Sequence, residues 1–460
     1  MKKAAYLVII TFLSFAFIQL NDTFQKEEPE FIPASKQRTG DAAKGYEYLT
    51  TGDYLKSGIP YSLFILGIPK DANNFLGRSG LNKNVPHDFT AVKAPNAEIV
   101  VAPNCLQCHA QIFKGKLVTG LGNSFSDFTK QISGTALMAE RLLQNLKGDD
   151  AKKYDAAKNF ITAVKTVAPN LITSTKGVNL ADGLATLLVA HRDPVTLQWT
   201  EQSLLTVPDE MIPTDVPAWW LLKKKHGMFY NGFGRGDFGR FLMASNLLTV
   251  TDTTEAAEVD SHFNDILAYI NSIQAPKYPK PIDEALAANG EKIFTATCAG
   301  CHGTYGDDGK YPNLLIPESI IQTDSALFTS NYSNPQFVEW FNKSWFATGD
   351  HPAQLVPYQG YIAPPLDGVW ITAPYMHNGS VPNLETMLNS GKRPKYWQRN
   401  FTNPSYNYDI PGWNYEEKEK PGNSEVYNTT LKGFGNYGHN FGDNLSEKER
   451  RAVIEYLKTL

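Results

Sequence analysis

The chain is 460 residues long, 42% hydrophobic and 20% charged, with a formal net charge of −4. That length suits two or three domains, each burying its own core. The charge excludes the broad basic surface that a nucleic-acid partner requires. The chain opens on Met1-Lys2-Lys3 and then an apolar run from Ala4 to Leu20. A charged start followed by a short apolar core reads as a secretory signal. The nearest approach to a small-x-small cleavage site is Ser14-Phe15-Ala16. The run is also close to the minimum length that spans a bilayer, so residues 1–22 read as a signal peptide or an uncleaved membrane anchor. From Asn21 to Lys36 the sequence is polar, a lead-in to the folded part.

The four cysteines of the chain lie in two C-x-x-C-H motifs, Cys105-Leu-Gln-Cys108-His109 and Cys298-Ala-Gly-Cys301-His302. This spacing lets two thiols add across the vinyl groups of one porphyrin and puts the adjacent histidine under the iron. A zinc ribbon wants its cysteine pairs about 15–20 residues apart, much closer than these. A disulfide explains neither histidine. The expectation is two covalently bound haem c groups. Export agrees with it, because bacterial haem c is attached outside the cytoplasm, and the expected compartment is the periplasm.

Residues 23–274 read as an N-terminal haem c domain with a large insertion. Ile132, Ala136, Leu137, Leu142, Leu143 and Leu146 recur at helical spacing and predict a helix over 129–147. Val259, Phe263, Ile266, Leu267 and Ile270 predict another over 255–273. Three prolines between Ala275 and Pro281 forbid helix, so 275–283 reads as an extended linker. Residues 284–460 then resemble a complete cytochrome c domain. A helix over 284–295 leads into Cys298, and Ser446-Glu-Lys-Glu449 is a capping box that opens a terminal helix striped with Ala452, Val453, Tyr456, Leu457 and Leu460. Between them, 390–430 is aromatic and without period, and reads as a long surface loop. The expected fold is mainly α: two cytochrome c-like haem domains with long loops. Apart from the haem motifs no internal repeat is visible.

The string Ile371-Thr-Ala-Pro-Tyr-Met-His-Asn-Gly-Ser-Val-Pro-Asn-Leu384, and Gly438-His439 before the terminal helix, resemble the bacterial di-haem cytochrome c peroxidase superfamily. MauG-type enzymes and rubber oxygenases belong to it. The resemblance covers about residues 213–245 and 284–460. It implies an oxidant-binding haem at His109, an electron-transfer haem at His302, and a small redox protein (a cytochrome c or cupredoxin) as donor to H2O2 or O2. It makes His439 the sixth ligand of the second haem, with Met376 as rival, and sets His377 near a propionate. A bis-histidine iron is lower in potential than a His/Met one.

Matching Asp215 to the family's calcium-binding asparagine implies a Ca²⁺ held by Asp215 and the carbonyls of Thr372 and Pro374. A helix N-cap is the ordinary alternative use of that aspartate. The same match places the inter-haem aromatic at Tyr230, with Trp219 and Trp220 as rivals.

The chain departs from the family twice. The interval from His109 to Asp215 is several times the usual one, as in the rubber-oxygenase branch. The peroxidatic glutamate's position is Val250, and the nearest acid is Asp252. The first haem is therefore expected to keep an open distal face lined by Phe233, Phe238 or Phe241. His87, His191, His226, His262 and His351 have no ligand spacing, and Lys223-Lys-Lys225 reads as a solvated face. The reading is a di-haem oxidoreductase. Its alternatives are a non-catalytic electron carrier and an oxygenase of an organic substrate.

Overall fold

A computed structural model describes residues 28–67 and 73–460. The signal or anchor expected at 1–22 lies outside the described residues. Among those described, no helix is long and apolar enough to cross a membrane. Helices cover about 39% of the structure. Six small sheets of two or three strands run between them, so the loops are more structured than a mainly α reading allows.

Two cores carry the fold, and each is built round one helix crossing. In the second, Glu284–Thr297 packs across the terminal helix Glu447–Leu457. The contact is so close at Gly290 that a Cβ there would sit 1.9 Å from the Ala452 carbonyl oxygen. In the first, Ala42–Thr51 packs across Phe263–Ser272. There a Cβ on Gly45 would sit 1.9 Å from the Asp265 carbonyl oxygen. The same glycine crossing is thus used twice, a repeat of architecture beyond the haem motifs that the sequence does not display. The expected capping box is present, with Ser446 and Glu449 satisfying each other's backbone N–H.

The helix expected over 255–273 is two helices, Thr253–Asp260 and Phe263–Ser272. The break falls at Ser261-His262. The Ser261 hydroxyl donates to the Glu258 carbonyl at 2.6 Å, and the His262 ring stacks on Tyr48 at 4.2 Å. Both contacts compete with continued helix. The prolines of 275–283 do keep that segment extended, but it is pinned. The Trp370 indole donates to the Pro276 carbonyl (2.7 Å) and the Tyr278 hydroxyl to that of Tyr408 (2.9 Å).

The segment 390–430 is not a simple surface loop. Tyr396–Arg399 pairs with Tyr415–Glu417 and Val426–Asn428, and Tyr406–Asn407 with Gly412–Trp413. Trp397, Tyr406, Trp413 and Tyr427 are buried, so its aromatics form a core too short in each strand to show a period.

The cores do not divide cleanly at the linker. Glu30–Phe31 pairs with Leu314–Pro317, and Gly234–Gly236 with Ala353–Leu355. Trp340, Phe341, Phe346 and Leu355 join the first core, where Phe341 stacks on Phe241 at 4.9 Å.

Gly290→Ala must push apart the backbones of the second crossing. It should destabilise the protein by about 1–3 kcal/mol, read as a lower midpoint in chemical denaturation.

Candidate haem sites

The first site is positioned by the strand pair Phe89–Lys93 and Ile99–Pro103. The Asn104 side chain accepts from the Leu106 N–H at 2.9 Å and donates to the His87 carbonyl at 3.0 Å. This opens the short helix Leu106–His109, which sets both cysteines and the histidine on one turn. The Asn179 amide donates to Cys108 Sγ at 3.2 Å. His109 is half-buried, and desolvation of its ring pushes its pKa down to about 3. The imidazole is therefore neutral, as a metal ligand must be. Its Nδ1 has no hydrogen-bond partner, so no other group competes for the ring.

Cys105, Cys108 and His109 line a cavity of about 1120 Å³, the space in which a haem attached to them would itself sit. Phe233 and Phe241 line it, as expected, joined by Phe229, Phe337, Phe341 and Phe346. Phe238 does not; it is buried in the first core, on the helix Phe238–Met243. Val250 is buried away from the cavity. Asp252 caps Thr253–Asp260 by accepting from the Thr254 and Glu255 N–H groups at 2.8 and 3.0 Å, so it does not serve the cavity either.

The second site follows directly from the Glu284–Thr297 helix, whose C-cap is Cys298. His302 Nδ1 lies 2.8 Å from the Pro364 carbonyl oxygen, which makes it the protonated nitrogen and leaves Nε2 as the one that could bind a metal. The His439 ring faces it, with centroids 6.1 Å apart, so the two residues could hold one haem iron between them.

The loop presenting His439 is locked. Gly438 has φ 74°, and a Cβ there would lie 2.2 Å from the Gln322 backbone. The Arg393 guanidinium donates to the carbonyls of Asn436 (2.7 Å), Gly438 (2.6 Å) and His439 (3.2 Å). Burial, then the neighbouring His302 and Arg393, push the His439 pKa down to about 3.

Met376 is half-buried at the edge of the second core, and its sulfur accepts from the Ser380 hydroxyl at 3.6 Å. His377 stacks on Tyr361 at 4.1 Å and bonds that hydroxyl through Nε2 at 3.1 Å.

Two aromatic groups lie between the sites. The Trp219 indole stacks on His109 at 4.6 Å and 19° and belongs to the first core. Its neighbour Trp220 belongs to the second core and donates to the Asp367 carbonyl at 2.8 Å. This dipeptide runs from one imidazole to the loop whose Pro364 holds the other. Tyr230 instead packs against Leu327, Phe328 and Tyr361 and donates to the Asp215 carboxylate at 2.6 Å.

Burial pushes the Asp215 pKa up to about 7, against the hydrogen bonds of Tyr230 and the Val216 N–H and the charge of Arg399. Asp215 caps no helix. Its N–H donates to the His377 carbonyl at 2.6 Å, which sets it against the turn that contains Thr372 and Pro374. Its carboxylate accepts from Tyr230 and offers one side-chain ligand of the several that Ca²⁺ takes. No group of three or more His, Cys, Asp or Glu among the described residues is arranged to hold a metal.

The lysine run is not one solvated face. Lys224 pairs with Asp367 at 2.7 Å, and Lys225 is buried with its ammonium on the Phe229 carbonyl at 2.9 Å. His191 stacks on Trp199, and His226 bonds the Ile32 carbonyl at 2.7 Å. The positioning groups Asn179, Pro364 and Arg393 were not foreseen. One acts through a backbone carbonyl, and all come from distant segments, so no local pattern marks them.

Residues 287–353 match the family model described as cytochrome c, and residues 360–398 match the one described as RoxA-like, cytochrome c-like. Two proteins of Sinorhizobium fredii are similar to parts of the chain. The uncharacterized protein y4iM is 28% identical over 210 residues, 42% of this chain and 48% of its own. The uncharacterized protein y4iJ is 39% identical over 111 residues, 22% of this chain and 18% of its own. The chain thus spans about half the length of one relative and less of the other. Together with the neutral imidazoles beside paired cysteines, the matches make this chain a redox protein that carries covalently bound haem c through a cytochrome c region related to the RoxA-like type.

Proposed function

We propose that the protein is a periplasmic di-haem oxidoreductase of the cytochrome c peroxidase-like superfamily. Cys105, Cys108 and His109 hold one haem, and Cys298, Cys301, His302 and His439 hold the other. The observation that carries this reading is the asymmetry of the two sites. Among the residues lining the cavity beside His109 there is no second imidazole, whereas the His302 ring is met by one at 6.1 Å. An open face suits binding of O2 or peroxide, and a closed bis-histidine pair suits electron transfer. Haem supplies the redox and ligand-binding chemistry. The protein's part is to keep three imidazoles neutral, fix the His302 tautomer through Pro364 and exclude water with a phenylalanine-rich wall.

Electrons would enter at the second site from a small cytochrome c or cupredoxin. Trp219 and Trp220 support a route between the sites better than Tyr230, whose hydroxyl is tied to Asp215. A Ca²⁺ at Asp215, with the carbonyls of Thr372 and Pro374, would brace the turn beneath that route. The apolar cavity favours oxygenation of an organic substrate as a second reading. Val250 leaves the family's glutamate position without an acid/base, a group whose contribution to peroxide turnover is about 10²–10⁴-fold.

The intact mass of the denatured protein should show two attached haems; zero or one ends the di-haem reading. Its EPR spectrum should show one high-spin and one low-spin iron, and CO should bind only the former. Two low-spin irons that bind nothing would make the protein an electron carrier.

His439→Gly should convert the low-spin signal to high spin, while Met376→Leu leaves it unchanged. The opposite pattern assigns Met376 as ligand. Trp219→Phe should slow inter-haem electron transfer measured after CO photolysis, by roughly tenfold or about 1.4 kcal/mol in barrier. Tyr230→Phe should leave it near the wild-type rate.

A further inference from the structure

The cavity at His109 contains an acidic side chain at a place neither Val250 nor Asp252 occupies. The bond from Asn179 to Cys108 Sγ (3.2 Å) pins the start of the helix Ala181–Ala190 to the haem thiols. Asn179 is itself fixed by paired backbone hydrogen bonds with Thr214, at 2.8 and 2.9 Å. One turn on, Asp182 lines the same cavity as Cys105, Cys108 and His109. We propose that the Asp182 carboxylate is the proton-exchanging group of this cavity. A weak acid H–X that enters gives its proton to Asp182 and leaves X⁻ as the ligand; on departure the proton returns to X⁻. The proposal rests on the reading of the His109 site as open.

Three observations support it. First, burial is the only influence that shifts this carboxyl, raising its pKa to about 6, so it titrates where a proton exchanger is useful. The positive end of its own helix acts in the opposite direction. Second, the remaining acids around the cavity are otherwise engaged. Asp324 accepts from the Ala326 and Gly435 N–H groups at 2.9 Å each, and Glu210 is solvent-facing, 4.0 Å from Lys432. Asp209 and Tyr437, the other ionisable groups at the rim, are exposed. Third, Leu184, Leu188 and Phe337 line the cavity with Asp182, so an apolar wall surrounds the carboxyl there.

The test compares two ligands of the oxidised and reduced holoprotein. Hydrogen cyanide, protonated near neutral pH, must lose its proton to bind; CO carries none. In the wild type the cyanide association rate should rise with pH through an inflection near the carboxyl's pKa of about 6. Asp182→Asn should lower the rate on the order of tenfold to a hundredfold and abolish the inflection. Asp182→Glu should restore both, and CO association should be unchanged in either variant.

An Asp182→Asn protein with the wild-type rate and inflection overturns the proposal. So does equal slowing of CO and cyanide, which would show that Asp182 only shapes the cavity. If the wild type binds neither ligand, the open-site reading fails first, recognisable by two low-spin irons, and the proposal falls with it.

Discussion

An imidazole binds a metal only in its neutral form, and in this protein neutrality is secured by burial. His109, His302 and His439 are half-buried, and desolvation is the first cause that lowers the pKa of each. The fold serves that enclosure. The two glycine crossings bring helices close enough to seal the cores on which the haem turns rest. The Arg393 guanidinium then closes the His439 loop by bonding three consecutive-region carbonyls rather than by contributing a ligand. Ligand geometry here is a by-product of how backbone polar groups are satisfied.

From the same principle the sites diverge. At His302 the space opposite the ring is filled by another ring, that of His439. At His109 the ring is backed by the Trp219 indole, and the cavity beside it has a phenylalanine-rich lining with no second imidazole. What distinguishes the two halves is therefore not the haem motif, which is the same in each, but what the rest of the chain delivers to the far side.

The haem motifs, the linker, the capping box and the terminal helix were legible because each is a local pattern with a local physical cause. The crossing at Gly45 was not, since a glycine in a helix carries no mark of what approaches it. The break at Ser261-His262 was missed because the hydrophobic period runs through it; what stops the helix is a hydroxyl-to-backbone bond and a stack on a distant tyrosine. The segment 390–430 failed to read as sheet because its strands are two to four residues long, too short for alternation to register. Tyr230 fitted a position count, but its hydroxyl binds Asp215, while the indole stacked on His109 belongs to Trp219. Asp182 was invisible for a different reason: an aspartate in a first helical turn is ordinary, and only the cavity makes it unusual.

The first core is finished by residues that come after the second haem motif. Trp340 donates to the Arg192 carbonyl at 2.7 Å, Phe341 stacks on Phe241, and Ala353–Leu355 completes a strand pair with Gly234–Gly236. Synthesis from the N-terminus makes Cys105 and Cys108 long before those closing residues exist. The turn that carries the first cysteine pair is thus made first and the wall beside it last. A polypeptide cut at the proline linker would keep that turn while losing its roof.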